Sequence, residues 1–157
     1  MYRKILVPLD GSATAERGLR ESIALASEQD AELVLLHVID GFPVLGELSS
    51  ASAYDERLQR MHRYGSALLA RAKQAAGETG VAAQTIMREV TRERPADAII
   101  AEAAGRGCDL IVMGTHGRRG FNRLALGSEA ELVVRTSPVP VLLVREPEAM
   151  SAAGAPA

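Results

Sequence analysis

Several things are scarce in this chain, and each scarcity narrows what it can do. Tryptophan is absent and aromatic residues make up only 3% of the total. Base-stacking platforms and sugar clefts are built from such rings, so single-stranded nucleic acid and carbohydrate lose their usual recognition chemistry. The single cysteine, Cys108, has no partner for an internal disulfide, and no CxxC or Cys/His cluster supplies a zinc ligand set. The formal net charge is -2, so no overall basic field draws nucleic acid or an anionic membrane. No apolar run approaches the ~20 residues of a spanning helix. The first residues, Met-Tyr-Arg-Lys, lead into a short strand and not into an apolar signal region. The expectation is a reduced, cytoplasmic, soluble protein.

What is present is the composition of an ordinary globular domain. The 157 residues are 47% hydrophobic and 24% charged, enough for one sizeable core and short for two. Short apolar runs alternate with longer stretches of helical period. Lys4 to Leu9 (KILVPL), Glu32 to Ile39 (ELVLLHVI) and Asp109 to Met113 (DLIVM) read as strands buried on both faces. Val81 to Val90 alternates more weakly, and Pro140 to Val144 forms a fifth strand.

Helical spacing joins Ala15, Leu19, Ile23 and Ala26, with Ser12 or Thr14 as N-cap. A second helix carries Leu58, Met61, Leu68, Leu69, Ala72 and Ala76 on one face and stops near Gly77 and Gly80. Pro95 opens a third, with Ala96, Ile99, Ile100 and Ala103 inward; a fourth starts at Ser128, with Ala130, Val133 and Val134 inward. Asp40 to about Ser52 reads as a mobile loop, and residues 147–157 as a disordered tail to a domain of residues 1–146. Strands alternating with helices predict a doubly wound α/β fold: an open five-stranded parallel sheet with helices on both faces.

The chemistry concentrates after the fourth strand, in Gly114-Thr-His-Gly117-Arg-Arg-Gly120-Phe-Asn-Arg-Leu-Ala-Leu-Gly127-Ser128. A Walker A loop requires Gly-Lys-Ser/Thr, and this segment has no lysine. The dinucleotide fingerprint belongs after the first strand, and this segment follows the fourth. Backbone donors remain available. Gly114 and Gly117 can turn N–H groups toward an anion with no Cβ in the way, and Gly127 and Ser128 open a helix whose positive end favours phosphate. The same glycines would equally serve to shape a surface loop and start a helix. Asp10, in Pro8-Leu9-Asp10-Gly11-Ser12, ends the first strand. With strands one and four adjacent, it would sit across the crevice where open α/β sheets bind ligands, and could accept ribose hydroxyls. Its other use is a turn residue that bonds its own backbone.

The spacing Gly114-x2-Gly117-x9-Gly127-Ser128 resembles the G-x2-G-x9-G-[S/T] signature of ATP-binding universal stress proteins. KILVPLDGS, HVID, DLIVMGTHG and SPVPVLLVR also resemble that family, so the likeness spans about residues 2–146. It implies a Rossmann-like sheet of order 3-2-1-4-5, similar to the adenine nucleotide alpha hydrolase fold, with ATP as ligand and Mg2+ held through the phosphates. Carried over by position, Asp10 would bind ribose, with Pro8 and Leu9 on the adenine side. Val38 would meet adenine through its backbone and Met113 would pack beside the nucleotide. Gly114, Gly117, Gly127 and Ser128 would hold phosphates, with Glu129 next along the helix. Family members often have an apolar residue there; a carboxylate repels triphosphate unless it points away or a divalent ion intervenes. The resemblance also implies a homodimer through antiparallel pairing of Pro140 to Arg145, an apolar edge that invites pairing.

The remaining polar residues divide between function and scaffold. His116 would donate to phosphate from the loop, while His37 reads as a packed, hydrogen-bonded core residue and His62 as solvated. Arg118, Arg119 and Arg123 would cover the phosphates or simply face water. Cys108 and the methionines read as core fillers. A nucleotide-binding regulatory protein is the leading expectation. A slow ATPase of the same fold is the alternative, although no lysine reaches a γ-phosphate and no catalytic triad is visible.

Overall fold

The computed structural model describes residues 1–41, 50–116 and 126–145. Gly117, Arg118, Arg119 and Arg123 lie outside them, as do most of the Asp40 to Ser52 stretch and the 147–157 tail.

Five parallel strands form one sheet of order β3-β2-β1-β4-β5. They are β1 (Lys4–Pro8), β2 (Glu32–Asp40), β3 (Ala83–Val90), β4 (Leu110–Gly114) and β5 (Val141–Val144). The connecting helices are α1 (Ala13–Gln29), α2 (Ala51–Glu78), α3 (Pro95–Gly105) and α4 (Ser128–Thr136). The expected sheet order is therefore the one observed.

The strand period of two sorts the apolar residues into two cores. Ile5, Val7, Leu33, Leu35, Leu110 and Val112 face α1 and α2, where they meet Leu19, Ile23, Leu68 and Ala72. Leu6, Val34, Leu36, Ile111 and Met113 face α3 and α4, packing with Ala96, Ile99, Ala103 and Val133. The central strands β1, β2 and β4 are covered on both sides, which is why they read as continuous apolar runs. Asp109 locks the sheet's lower edge: its two carboxylate oxygens accept the N–H groups of Arg3 and Lys4 at 2.9 and 3.1 Å.

Helix starts follow their capping residues. Ser12 is the N-cap of α1, its hydroxyl accepting from Ala15 N at 3.2 Å. Pro95 takes the first-turn position in α3. Val134 departs from expectation, being 44% exposed. The short α4 buries Ala130 and Val133, and Val134 lies past the edge of that narrow stripe.

The edge strand β3 is tied to α3 by charge. Glu102, a buried residue of α3, accepts from Arg88 Nη1 at 2.7 Å and from Arg106 Nε at 2.8 Å. Burial pushes its carboxyl up, but the hydrogen bonds from Arg106 and Arg88 outweigh that and hold it below the ordinary glutamate value. A carboxyl lowered in the folded state stabilises above its unfolded pKa and ceases to as pH falls through the folded one. Glu102→Gln is therefore expected to lower stability by about 1–2 kcal/mol at neutral pH. The gap should close as urea midpoints are followed down through the acid range; a gap that does not depend on pH would refute the assignment.

Candidate functional site

The sheet order places β1 and β4 side by side at the point where the chain reverses its winding. After β1 the chain enters α1 on one face; after β4 it goes to α4 on the other. Their carboxyl ends thus open a crevice between two diverging connections.

On the β1 side the turn is tightly made. Leu9 N–H donates to Leu36 O at 2.7 Å, which carries the parallel ladder one residue beyond the strand. Asp10 Oδ1 accepts Ser12 N–H at 2.9 Å, the turn role foreseen as its alternative use. That bond fixes the orientation of the carboxylate in the turn. Gly11 has φ +81°, a left-handed conformation that glycine adopts without strain. Pro8 is the last residue of β1, pairing with Leu36, while Val38 lies further along β2, half-buried against the α3–α4 core.

On the β4 side two consecutive carbonyls hold the crevice together. The Thr14 hydroxyl, in the first turn of α1, donates to His116 O. Gly127 N–H, at the N-cap of α4, donates to Thr115 O at 2.8 Å. Residues 115 and 116 are thereby joined to both helices. The latter bond also corrects one detail of the expected phosphate cradle: the Gly127 N–H is engaged by protein. The first-turn N–H groups beyond it lack intrahelical acceptors by helix geometry, and Gly127 provides no side-chain cap.

Gly114 answers to packing. A Cβ there would lie 2.5 Å from Thr14 Oγ1, 2.8 Å from Thr14 Cβ and 2.9 Å from the Thr14 backbone carbon. A Cβ on Gly18, one turn along, would lie 3.8 Å from Gly114 N, an ordinary contact with the β4 backbone. The glycine at 114 is what lets α1 sit close on β4. Met113 is buried in the α3–α4 core beneath it.

Glu129 is drawn away from the start of its own helix. Its Oε1 accepts from Arg94 at 2.8 and 3.3 Å, and its Oε2 accepts Ala96 N–H at 2.9 Å, capping α3. Of the two arrangements expected for an acidic residue at this position, the structure shows the side chain turned away from its helix start. His116 Nδ1 lies 2.9 Å from Thr115 Oγ1, whereas its buried Nε2 has no protein partner among the described residues. With Thr115, Leu126, Leu143 and Arg145 it lines a shallow pocket of about 200 Å3 at the carboxyl ends of β4 and β5. That pocket excludes Asp10 and Val38, so it covers one flank of the crevice only.

His37 is a core residue as read, 6% exposed, with Nδ1 2.7 Å from Leu9 O. His62 lies on the surface yet meets Glu89 at 3.2 Å. Burial pushes the Cys108 thiol up to about 11, leaving it protonated and inert. Sequence reasoning missed two residues of α2: Tyr64, whose hydroxyl reaches Asp10 O, and Gly65, which makes room for the His37 ring. A glycine inside an otherwise helical period was the available signal.

The geometry defines an open doubly wound α/β protein with its crevice at the topological switch point. Comparison with known proteins names the lineage. The profile of the universal stress protein family matches residues 1–145. Universal stress protein MJ0531 of Methanocaldococcus jannaschii is 36% identical, over 94% of this chain and 85% of that one. The solved structure of protein MJ0577, from the same organism, superposes with TM-score 0.84 at 30% identity, covering 94% of this chain and 99% of that one. A universal stress protein solved in complex with cAMP has the same fold, at TM-score 0.61 and 24% identity over 92% and 97% of the two chains. The chain belongs to the universal stress protein family.

The close approach at Gly114 has a measurable consequence. Gly114→Ala is expected to lose about 1–3 kcal/mol, because the backbone of Thr14 must move. An unchanged urea midpoint would show that the position is open and that its glycine serves something other than packing.

Proposed function

We propose that this chain is a regulatory protein whose conformation or assembly is set by a bound adenine nucleotide, with ATP as its ligand. The observation that carries the reading is the convergence at the switch point. Asp10, fixed in its turn, stands at the end of β1, and the clamped Thr115–His116 pair stands at the end of adjacent β4. The uncapped first turn of α4 follows, as an anion-favouring end. The sequence supplies the rest of the phosphate pattern through Gly117, which lies outside the described residues. The cAMP complex is a likeness of fold at its identity, so the choice of ligand rests on this chain's own residues.

In this reading Asp10 accepts the ribose hydroxyls, Pro8, Leu9, Val38 and Met113 shape the base side, and Gly114, Gly117, Gly127 and Ser128 surround the phosphates. With the Gly127 N–H engaged, its part is to let the phosphates approach, and the donors are those of Ser128 and the next turn residues. His116 adds a donor through Nε2. Glu129 serves by holding α3 and α4 together. Among the described residues no group of three His, Cys, Asp or Glu side chains could hold a metal, so Mg2+ would arrive with the phosphates. Regulation is preferred to catalysis because this reading gives Asp10 to the ribose and Glu129 to Arg94 and Ala96 N–H, which takes both carboxylates out of a general base's role. A cytoplasmic location belongs to the same proposal; among the described residues no helix is long and apolar enough to cross a membrane.

Calorimetric titration with Mg-ATP tests the reading directly. Asp10→Ala should weaken binding by about tenfold to a hundredfold, with the circular dichroism spectrum retained. An absence of heat with the unaltered protein would sink the proposal, and steady ATP turnover at enzyme-like rates would replace regulation with catalysis.

A homodimer through Pro140 to Arg145 completes the proposal. Strand β5 ends the sheet and carries Leu142 at 43% exposure. Sedimentation velocity over a concentration series should show dimer, and Leu142→Lys should shift it to monomer. A monomer throughout would count against edge pairing.

A further inference from the structure

Two side chains behind the Asp10 turn have no part in the site as described so far. His37, on β2, is buried, and its Nδ1 lies 2.7 Å from Leu9 O. A carbonyl only accepts, so Nδ1 carries the proton and donates. The same Leu9 uses its N–H on Leu36 O, so both backbone polar groups of the residue before Asp10 are fixed by adjacent residues of β2. Tyr64, on α2, takes the next peptide: its hydroxyl stands 3.4 Å from Asp10 O. The hydroxyl also occupies the space a side chain at Gly11 would need.

The two side chains touch. Their ring centroids are 6.0 Å apart at 63°, an edge-to-face contact. Gly65 makes the arrangement possible. A Cβ there would overlap the His37 ring, coming within 3.1 Å of Nε2 and 3.2 Å of Met87 Cε. A buried histidine and a tyrosine therefore converge on one turn, with a mid-helix glycine making room for the imidazole, where a purely apolar filling would serve the core equally well.

We propose that His37 and Tyr64 are positioning residues that hold the Leu9 and Asp10 carbonyls so that the Asp10 carboxylate keeps one orientation toward the ribose. The proposal rests on the nucleotide reading for its ligand, but its structural half is open to test without one. Asp10 Oδ1 accepts the Ser12 N–H, so Ser12 amide exchange reports whether the carboxylate is held.

Asparagine and leucine are close in size and leave similar space in place of the imidazole, but only asparagine offers a donor near the position of Nδ1. In the ligand-free protein, Ser12 in His37→Leu is expected to exchange about fivefold faster than in His37→Asn, with the Leu6 and Ile111 amides alike in the two. The preference for ATP over 2′-deoxy-ATP, measured by calorimetry, should fall by a similar factor in the leucine variant and be retained in the asparagine variant. Tyr64→Phe removes only the hydroxyl and should move both readouts the same way by about twofold. Equal Ser12 exchange and equal ribose preference in the two His37 variants would overturn the proposal. A Ser12 difference in a protein that binds no ATP would leave the turn's positioning standing and remove the nucleotide reading instead.

Discussion

Two adjacent carbonyls, those of Thr115 and His116, connect the halves of this molecule. Strand β4 ends between a helix packed on one face of the sheet and a helix on the other, and a parallel sheet by itself does not join them. The hydroxyl of Thr14 reaches His116 O from α1, and the N–H of Gly127 reaches Thr115 O from α4. Both acceptors belong to chain leaving the sheet, where backbone groups would otherwise need water. The crevice thus has walls set by short bonds on either side of β4. Gly114 belongs to the same arrangement, since any Cβ there would push α1 away and lengthen the Thr14 bond.

A comparable economy of contacts holds the second layer. Glu129 starts in the first turn of α4 but spends its carboxylate on Arg94 and on Ala96 N–H, at the start of α3. One side chain thereby caps a neighbouring helix and pairs with its N-cap residue. Arg94 is exposed, so the ion pair is worth little by itself. The bond to Ala96 N–H satisfies a first-turn donor that has no acceptor within its own helix, which gives this acidic residue a structural use. Glu102 does similar work lower down, joining α3 to the edge strand through Arg88.

The sheet was legible in the sequence because burial on both faces leaves a strong mark. KILVPL, ELVLLHVI and DLIVM could hardly be anything but interior strands, and Ser12 and Pro95 announced their helices. Less visible were features that depend on which elements touch. Ala130 and Val133 gave the period of α4, yet nothing local told how wide a stripe α3 would cover, so Val134 was placed inward and is exposed. The close approach of Gly114 to Thr14 was not legible, because spacing carries no information about which element packs on a glycine. Glu129 was a difficulty in sequence and is explained by Arg94, thirty-five residues away.

The Asp10 turn shows how the two kinds of information combine. Asp-Gly after a buried strand is an ordinary turn, and the bond from Ser12 N–H to Asp10 Oδ1 confirms that it makes one. Turn formation needs neither a buried histidine nor a tyrosine hydroxyl over the glycine. Burying a polar imidazole is unfavourable unless its donors find acceptors, and here Nδ1 finds the carbonyl next to Asp10. Gly65 weakens a long helix by roughly 0.5–1 kcal/mol relative to alanine, yet it stands where the imidazole needs room. On the positioning proposal, these two local features serve to fix the peptide segment that carries the Asp10 carboxylate, the group with a use for such precision.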